Sequence, residues 1–243
     1  MEKRIYGHRA RIGYTSVAFI TEVFPYEFYK IVPEGVSLAL LTMQQDGFGA
    51  GHISDIYEAS LKAARDMARA GVDMILLGGN PVNISRGIDN VKAVIEDLEK
   101  ETGIPVSTST TARVNAYRAL GVSKIATVHP FGEAHNAMYE EYLPKLGTVS
   151  VGCRAGGSNL VDLGRLPASA ALEWGREAAN AFPEADCLHF PCPHWAVAEA
   201  IEPLERECGI DVVTSLQAII WEALRKCGIT DPIEGYGRLL REF

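Results

Sequence analysis

Short apolar runs alternate along the chain with longer amphipathic stretches. The runs RIGYTSV, VSLALLTM, VDMILLGG, IPVSTS, KIATVHP, VSVGC, DCLHFP and DVVTS are rich in β-branched residues and typical of buried strands. Between them, DIYEASLKAARDMARAG and ALEWGREAANAF repeat apolar residues every three or four positions, which predicts helices packed on one face. Regular alternation of the two patterns predicts βαβ units on parallel sheets, and hence an α/β fold.

The chain also repeats itself. Residues 95–109, IEDLEKETGIPVSTS, recur as residues 201–215, IEPLERECGIDVVTS. In each copy the similarity extends forward into a helix and backward through a helix to a strand. The sequence therefore predicts two pseudo-symmetric α/β halves related by internal duplication. We predict one half from residues 1–110 with 216–243, and the other from residues 111–215.

The repeat pairs two strand ends that differ in chemistry. When Asp73 is aligned with Asp186, Gly79 stands opposite Cys192. Ligands of open parallel sheets bind beyond the carboxyl ends of the strands, beside helix N-termini that attract anions. We therefore expect an active site for a small anion in the cleft between the halves, with hydroxyl groups from Thr108 and Ser109 at a further strand end.

Cys192 is the main candidate for chemistry. It lies between two prolines, at a predicted strand end before a helix, where the helix dipole would stabilise a thiolate. An ordinary thiol pKa of about 8.5 is close enough to neutrality for proton transfer. The chain has five cysteines, an odd number, without a CxxC pair, so disulfides are not expected. The other four are interpreted as structural: Cys153, Cys187, Cys208 and Cys227.

Two histidines are candidates for a second acid or base. His194 follows Cys192 closely, and His129 ends another predicted strand, where a structural role is equally compatible with the sequence. No HExxH or similar ligand set is present, so no metal is predicted. The glycine-rich residues 47–52 do not open a helix after a strand, and a nucleotide cofactor is not predicted.

Charge and hydropathy narrow the function classes further. The formal net charge of −8 argues against nucleic acid or an anionic membrane surface as a partner. The N-terminal residues lack the apolar run of a secretory signal, and no stretch of about 18 apolar residues follows. We expect a cytoplasmic protein, and the sequence leaves open whether it is a monomer or a homo-oligomer.

Taken together, several segments resemble the aspartate/glutamate racemase superfamily, and within it the arylmalonate decarboxylase and maleate cis-trans isomerase branch. They are GGNPVNISRG, TGIPVSTSTTARVNAYRALGVSKIATV, VGCRAGGSN, CPHW and GYGRLL, which together span almost the whole chain. The resemblance implies flavodoxin-like parallel-sheet halves. It also implies that no cofactor or metal is needed.

The resemblance gives the lone cysteine a meaning. Racemases and isomerases of this superfamily use two cysteines, one on each face of the substrate, whereas here Gly79 replaces the first. A single thiol is the pattern of the decarboxylase branch, in which loss of CO₂ leaves an enediolate that is protonated on one face only. Cys192 would be that proton donor, and donors around the enediolate would stabilise its charge.

The resemblance also suggests which residues line the substrate pocket and where this chain differs from similar decarboxylases. Hydroxyl residues of similar decarboxylases are replaced by Asn80 and Pro81, glycines after the cysteine by Pro193 and His194, and a strand-end tyrosine by Phe131. Asn159, in the segment GGSN, matches a substrate-binding asparagine of the isomerase branch. The predicted substrate-binding residues are Gly79, Asn80, Pro81, Thr108, Ser109, Phe131, Asn159, Pro193 and His194.

Three functions follow as hypotheses. The leading one is a carbon–carbon lyase that decarboxylates a small malonate-type dicarboxylate without a cofactor. The second is a maleate isomerase or an aspartate/glutamate-type racemase in which His129 or His194 replaces the missing thiol. The third is a small-anion-binding protein that does no chemistry.

Overall fold

The computed structural model describes residues 4–18, 21–45 and 50–243, which divide into two compact units. Of the glycine-rich residues 47–52, residues 47–49 lie outside the described residues, whereas residues 50–52 begin the helix Ala50–Arg69, which follows the strand Val36–Gln45. The expectation that this segment does not open a helix after a strand is therefore wrong for residues 50–52. Unit 1 consists of Met1–Thr21, Phe28–Ala112 and Ile219–Asp231, and unit 2 of Glu22–Glu27, Arg113–Ala218 and Pro232–Phe243.

The first sheet lies in unit 1. Its strands are β1 (Ala10–Ala18), β2 (Val36–Gln45), β3 (Met74–Leu77) and β4 (Val106–Thr108). All pairings are parallel, in the order β2-β1-β3-β4. The helices of this part of the chain are α1 (Val23–Ile31), α2 (Ala50–Arg69), α3 (Asn80–Asn83), α4 (Ile88–Thr102) and α5 (Ser109–Leu120).

The second sheet lies in unit 2 and repeats the first. Its strands are β5 (Lys124–Phe131), β6 (Val149–Ser158), β7 (Cys187–Phe190) and β8 (Asp211–Thr214). They are parallel in the order β6-β5-β7-β8, which is the order of the first sheet. The remaining helices are α6 (Asn136–Lys145), α7 (Ala168–Ala181), α8 (Ile201–Cys208), α9 (Ser215–Lys226) and α10 (Arg238–Glu242).

Strand register confirms the internal duplication. Ile12 pairs with Met74 in the first sheet, and the equivalent Ile125 pairs with Cys187 in the second. The aspartate before each third strand has the same role, because Asp73 accepts a hydrogen bond from the backbone N–H of Arg11, and Asp186 one from Lys124, both at 2.8 Å. The predicted α/β fold of two parallel-sheet halves is therefore confirmed.

The helix ends within the two repeated segments share one geometry. Gly103 ends α4 and Gly209 ends α8, each in the left-handed conformation, with φ of 70° and 68°. Glycine adopts this conformation without the steric cost of a Cβ. The glutamates Glu99 and Glu205 then accept hydrogen bonds from backbone N–H groups at the start of the next strands, Val106 at 2.9 Å and Val212 at 3.3 Å. The residues that the two copies have in common thus form the same turn from helix to strand.

The last residues differ from the predicted division of the chain. The sequence assigned residues 216–243 to the first half, but Pro232–Phe243 belongs to unit 2. Arg238 explains this position: its guanidinium donates two hydrogen bonds to the Asp211 carboxylate, at 2.7 and 2.6 Å, and a third to the carbonyl of Leu120 at 2.9 Å. The C-terminal helix is thus attached beside β8.

The two faces of the second sheet have different chemistry. One face packs against α7 and α8 through an apolar cluster that includes Leu188, Phe190 and Trp195. Thr127 and His189 are paired in neighbouring strands, and by alternation the His189 side chain lies on the face opposite to Leu188 and Phe190. Both side chains are wholly buried. Unit 2 therefore has a buried polar layer in addition to its apolar core. Within the described residues, no helix is long and apolar enough to span a membrane.

Candidate functional site

Gly79 lies two residues beyond β3 in unit 1, at the start of α3. Its φ of +81° lies in the region that side-chain-bearing residues rarely adopt. A Cβ built there would lie 2.5 Å from Cγ1 of Val17, too close for any real contact. At Gly79, the position equivalent to Cys192 in the repeat, both the backbone conformation and the packing therefore require glycine.

A network of short polar side chains follows Gly79. Asn80 is 7% exposed, and its Oδ1 accepts hydrogen bonds from the hydroxyls of Ser109, at 3.2 Å, and Thr110, at 2.9 Å. The side-chain amide of Asn83 donates to Ser109 at 3.2 Å and to the Leu77 carbonyl at 3.0 Å. The predicted residues Asn80 and Ser109 are thus brought together, and Asn83, which the sequence did not single out, supports them.

Two further predicted residues of unit 1 have local structural roles. Thr108 accepts a hydrogen bond from the backbone N–H of Thr111 at 3.0 Å, so its hydroxyl caps α5. Thr214 does the same for Gln217 at the start of α9, also at 3.0 Å. Pro81 lies in the first turn of α3, where a missing N–H costs no helical hydrogen bond.

Cys192 lies two residues beyond β7 and is 7% exposed. Its surroundings are apolar, since it belongs to the cluster that contains Phe131 and Trp195. Burial raises the pKa of its thiol to about 12, although the backbone N–H of His194 counteracts the shift through a hydrogen bond. The hydroxyl of Ser215 donates to the Pro191 carbonyl at 2.7 Å and fixes the preceding residue. Cys192 therefore rests as a neutral thiol.

The predicted helix dipole at Cys192 is wrong. The residues after β7 form turns, a short 3₁₀ helix follows at Ala198–Ala200, and α8 begins only at Ile201. The two prolines beside Cys192 explain the loop, because each removes a backbone donor and Pro193 disfavours helical geometry for the residue before it. The expected stabilisation of a thiolate by a helix is therefore not available to this residue.

His194 and Pro193 complete this loop. The His194 side chain is 8% exposed, and burial lowers its pKa to about 4, so the imidazole is neutral at pH 7. Its ring centroid lies 6.5 Å from that of Phe24. Trp195 is wholly buried and packs against Trp174 at 5.3 Å, which anchors the loop to α7.

His129 lies near the end of β5 and is wholly buried. Its Nε2–H donates to Oδ1 of Asn136 at 2.7 Å, which leaves Nδ1 as a buried acceptor without a partner in the described part of the chain. Burial lowers its pKa, although the hydrogen bond with Asn136 opposes the shift. Its ring packs 4.8 Å from Tyr139 and 6.3 Å from the predicted residue Phe131.

Asn159 follows β6 and is exposed. Its Oδ1 accepts hydrogen bonds from the backbone N–H groups of Val161, at 2.9 Å, and Asp162, at 3.3 Å, and its amide donates to the Asp162 carboxylate at 2.7 Å. The side chain thus stabilises its own turn, and its predicted role in substrate binding stays a prediction.

Unit 2 also contains a buried cation that the sequence did not indicate. Arg113 is wholly buried in α5, and its Nη1 donates to the Tyr142 hydroxyl at 2.8 Å and to Nε2 of His189 at 3.3 Å. Its Nε and Nη2 have no partner among the described residues. An arginine flanked by alanine and valine in an amphipathic helix was the one available signal, and it does not specify a partner.

The described residues contain no group of three or more His, Cys, Asp or Glu side chains arranged to hold a metal ion. The groups around Cys192 are instead its own protonated thiol, the neutral imidazole of His194 and apolar rings. Such a set can give a proton to carbon or oxygen and can hold an uncharged or delocalised group against apolar surfaces.

Two α/β halves with the same strand order, and a thiol in only one of two equivalent strand ends, define a protein of the superfamily that unites arylmalonate decarboxylases with maleate isomerases. A family model described as arylmalonate decarboxylase matches residues 24–240. The chain belongs to this family. The arylmalonate decarboxylase of Bordetella bronchiseptica is 29% identical over 203 residues, which cover 81% of this chain and 85% of that protein.

Solved structures agree with this assignment. Unliganded arylmalonate decarboxylase superposes with a TM-score of 0.83 at 25% identity, covering 96% of this chain and 100% of the other. The maleate isomerase Iso of Pseudomonas putida S16 shares the fold, with a TM-score of 0.84 at 18% identity over 96% of this chain and 98% of its own. The maleate cis-trans isomerase of Nocardia farcinica gives 0.82 at 21% identity over the same shares.

Proposed function

We propose that this protein is a decarboxylase that acts on a small malonate-type dicarboxylate without a cofactor, with Cys192 as the proton donor. The observation that carries the proposal is the position of Cys192, a buried thiol just beyond β7 whose counterpart in unit 1 is a glycine. Burial also raises its pKa to about 12, so the thiol keeps its proton. The equivalent Gly79 has no room for a second side chain. One protonated thiol suits a reaction that adds one proton to one face of a carbanion.

The proposed reaction breaks the carbon–carbon bond to one carboxylate, which leaves as CO₂. The bonding electrons stay on the substrate as an enediolate, delocalised over the remaining carboxylate. The S–H bond of Cys192 then breaks, and its proton is added to the α-carbon. The resulting thiolate is strongly basic and takes a proton from water, which restores the neutral thiol.

The surroundings of Cys192 support the first step as well as the second. Phe131, Trp195 and Val197 belong to the same buried apolar cluster as the thiol. A carboxylate held against such surfaces loses hydration, whereas the CO₂ that it becomes is uncharged and loses little. We therefore expect this cluster to favour the departure of CO₂.

The carboxylate that stays on the substrate needs hydrogen-bond donors. The predicted donors are the polar residues near Gly79. Asn80 uses its Oδ1 to accept from Ser109 and Thr110, so its Nδ2 is the part of the amide that can donate. In this proposal Asn80 binds the substrate directly and Ser109 positions it. Thr108 contributes through its capping of α5.

A second candidate function rests on His129. Its Nδ1 is buried and has no partner in the described part of the chain, so the neutral imidazole retains a lone pair that can accept a proton. An isomerase or racemase needs such a second group to replace the missing thiol. A racemase exchanges the substrate's α-hydrogen with solvent, and a maleate isomerase changes the geometry of the double bond. CO₂ is released in neither reaction.

The deciding experiment incubates the protein in D₂O with a panel of substituted malonates, maleate and amino acids. Release of CO₂ with one deuterium in the product supports the decarboxylase, and exchange or isomerisation without CO₂ supports the second candidate. Cys192→Ala should abolish turnover, and Cys208→Ala is the matched control because that thiol is half-buried on α8. Full activity of Cys192→Ala would contradict the proposed role. Binding without any turnover would indicate the non-catalytic alternative.

A further inference from the structure

Three tyrosines lie in the buried polar layer of unit 2, and their hydroxyl groups differ. The Tyr142 hydroxyl accepts a hydrogen bond from Arg113 at 2.8 Å. The Tyr117 hydroxyl is sealed from solvent and has no partner in the described residues. Tyr139 is 4% exposed, and its hydroxyl has no hydrogen-bond partner among the described residues. Unlike the Tyr117 hydroxyl, it is not fully buried. Its oxygen therefore still reaches accessible space.

Tyr139 is held close to the strand end that carries the candidate chemistry. It lies in the first turns of α6, and its ring centroid is 4.8 Å from that of His129 and 5.7 Å from that of Tyr142. The neighbouring Phe131 shares the apolar cluster of Cys192. A negative charge on Cys192 would raise the pKa of Tyr139, so the phenol and the thiol lie within each other's electrostatic field.

Backbone hydrogen-bond donors are few beside Cys192. Pro191 and Pro193 have no backbone N–H. The backbone N–H of His194 is directed to the cysteine sulfur. An oxyanion that forms beside the thiol therefore needs side-chain donors.

We propose that Tyr139 is such a donor: its phenolic O–H hydrogen-bonds an oxygen of the enediolate while Cys192 protonates the α-carbon. The inference deepens the proposed decarboxylase function and rests on it. Burial raises the pKa of Tyr139 well above that of an ordinary phenol, so the hydroxyl remains protonated throughout the neutral range. A neutral donor in a site shielded from water stabilises developing negative charge most strongly in the transition state.

Tyr139→Phe removes only the hydroxyl and keeps the ring that packs on His129. The expected result is a fall in kcat of about 100-fold, with a smaller change in KM, as for removal of one oxyanion donor. Tyr117→Phe is the matched control, since it deletes a hydroxyl from the same layer that is sealed and unpartnered among the described residues. Its kcat should equal that of the unaltered protein. Thermal melts of both variants verify that the fold is retained.

A binding measurement separates this inference from the proposed function. Benzylphosphonate is a stable dianion that resembles the enediolate, and its Kd can be measured by calorimetry without turnover. We expect Tyr139→Phe to weaken it about tenfold, the loss of one hydrogen bond to a charged group, and Tyr117→Phe to leave it unchanged. If no malonate is turned over but this difference persists, the donor role stands and the decarboxylase proposal fails.

Two results would overturn the donor role. The first is an active Tyr139→Phe variant whose kcat and benzylphosphonate Kd match those of the unaltered protein. The second is an unaltered protein that neither turns over a malonate nor binds the phosphonate, since the phenol would then have no oxyanion to stabilise.

Discussion

The Nη1 of Arg113 lies 3.3 Å from the Nε2 of His189, and both side chains are wholly buried. His189 donates its Nδ1–H to the Val213 carbonyl at 3.1 Å, which makes Nε2 the acceptor for the guanidinium. A neutral histidine is therefore part of the environment that holds a buried cation. The pKa of His189 is lowered well below its ordinary value, first by burial and then by the charge of Arg113.

Arg113→Ala should destabilise the protein strongly. The substitution leaves the Tyr142 hydroxyl and the His189 Nε2 buried without their donor and creates a cavity. We expect a loss of about 3 kcal/mol in the free energy of unfolding, measured by urea denaturation. Arg118→Ala on the same helix is the control, since its exposed side chain should change stability by less than about 0.5 kcal/mol. Equal effects of the two substitutions would contradict a structural role for the buried cation.

Stability should decrease on acidification because buried histidines must become charged. The pKa of His194 is lowered to about 4, and that of His189 is lowered by burial and by Arg113, relative to about 6.5 in the unfolded chain. A lowered pKa means that the unfolded state binds the proton more tightly, so the stabilisation is present above pH 6.5 and is lost as pH falls towards 4. His194 alone accounts for roughly 3 kcal/mol.

The measurement is urea denaturation between pH 7 and pH 4. His194→Gln should have a shallower pH dependence over this interval than the unaltered protein. His8→Gln, which changes an exposed histidine, should follow the unaltered protein. A pH dependence that is identical in all three proteins would show that His194 does not cause the loss.

Gly79→Ala should destabilise for two separable reasons. The new Cβ meets Val17 at 2.5 Å, and the backbone φ of +81° is strained for any side chain. Gly87→Ala is the matched control, since Gly87 has a similar φ of +93° but no atom lies within 4 Å of the position that a Cβ would take there. We expect about 1 kcal/mol for Gly87→Ala and about 2 to 3 kcal/mol for Gly79→Ala.

Thermal or urea unfolding of both glycine variants measures this difference. Adding Val17→Ala to Gly79→Ala should recover the part of the loss that comes from the steric clash, while the backbone strain persists. Equal losses in Gly79→Ala and Gly87→Ala would indicate that the packing of Val17 does not require glycine.

The neutral state of Cys192 predicts an unusual pH profile. Because its pKa is raised to about 12, the thiol keeps its proton across the range in which an ordinary cysteine ionises. We expect iodoacetamide to alkylate Cys192 slowly at pH 9 in the folded protein and fast after denaturation, as followed by peptide mass spectrometry. We also expect kcat for decarboxylation to show no loss between pH 7 and 10 from ionisation of this thiol. Rapid alkylation near neutrality would indicate a thiolate instead.

Much of the fold could be predicted from the chain alone because its signals are local. The period of apolar residues indicates strands and helices, and the glycines that end α4 and α8 recur in the repeat. The repeated segments predicted the duplication, which the matched strand registers confirm. The end of the chain was assigned to the first half, whereas Pro232–Phe243 belongs to unit 2. The ion pair of Arg238 with Asp211 joins residues distant in sequence, and a local pattern does not indicate it.

The candidate site was only partly accessible to sequence reasoning. The pairing of Gly79 with Cys192 followed from the repeat. Asn80 and Ser109 are hydrogen-bonded to each other, and their role in substrate binding stays a prediction. The expected helix after Cys192 was wrong, and Asn83, Arg113 and Tyr139 were not singled out. Their roles depend on side-chain contacts between different strands and helices, and a periodic sequence pattern does not predict such tertiary contacts.

The sequence by itself determined that one half carries a thiol where the other carries glycine, because alignment of two copies needs no coordinates. Only the tertiary structure decided the charge of that thiol. A pKa is set by burial and by nearby donors and charges, and at Cys192 these come from residues spread over several elements. The same holds for His189, whose pKa is lowered first by its burial and then by the charge of an arginine 76 residues earlier in the chain.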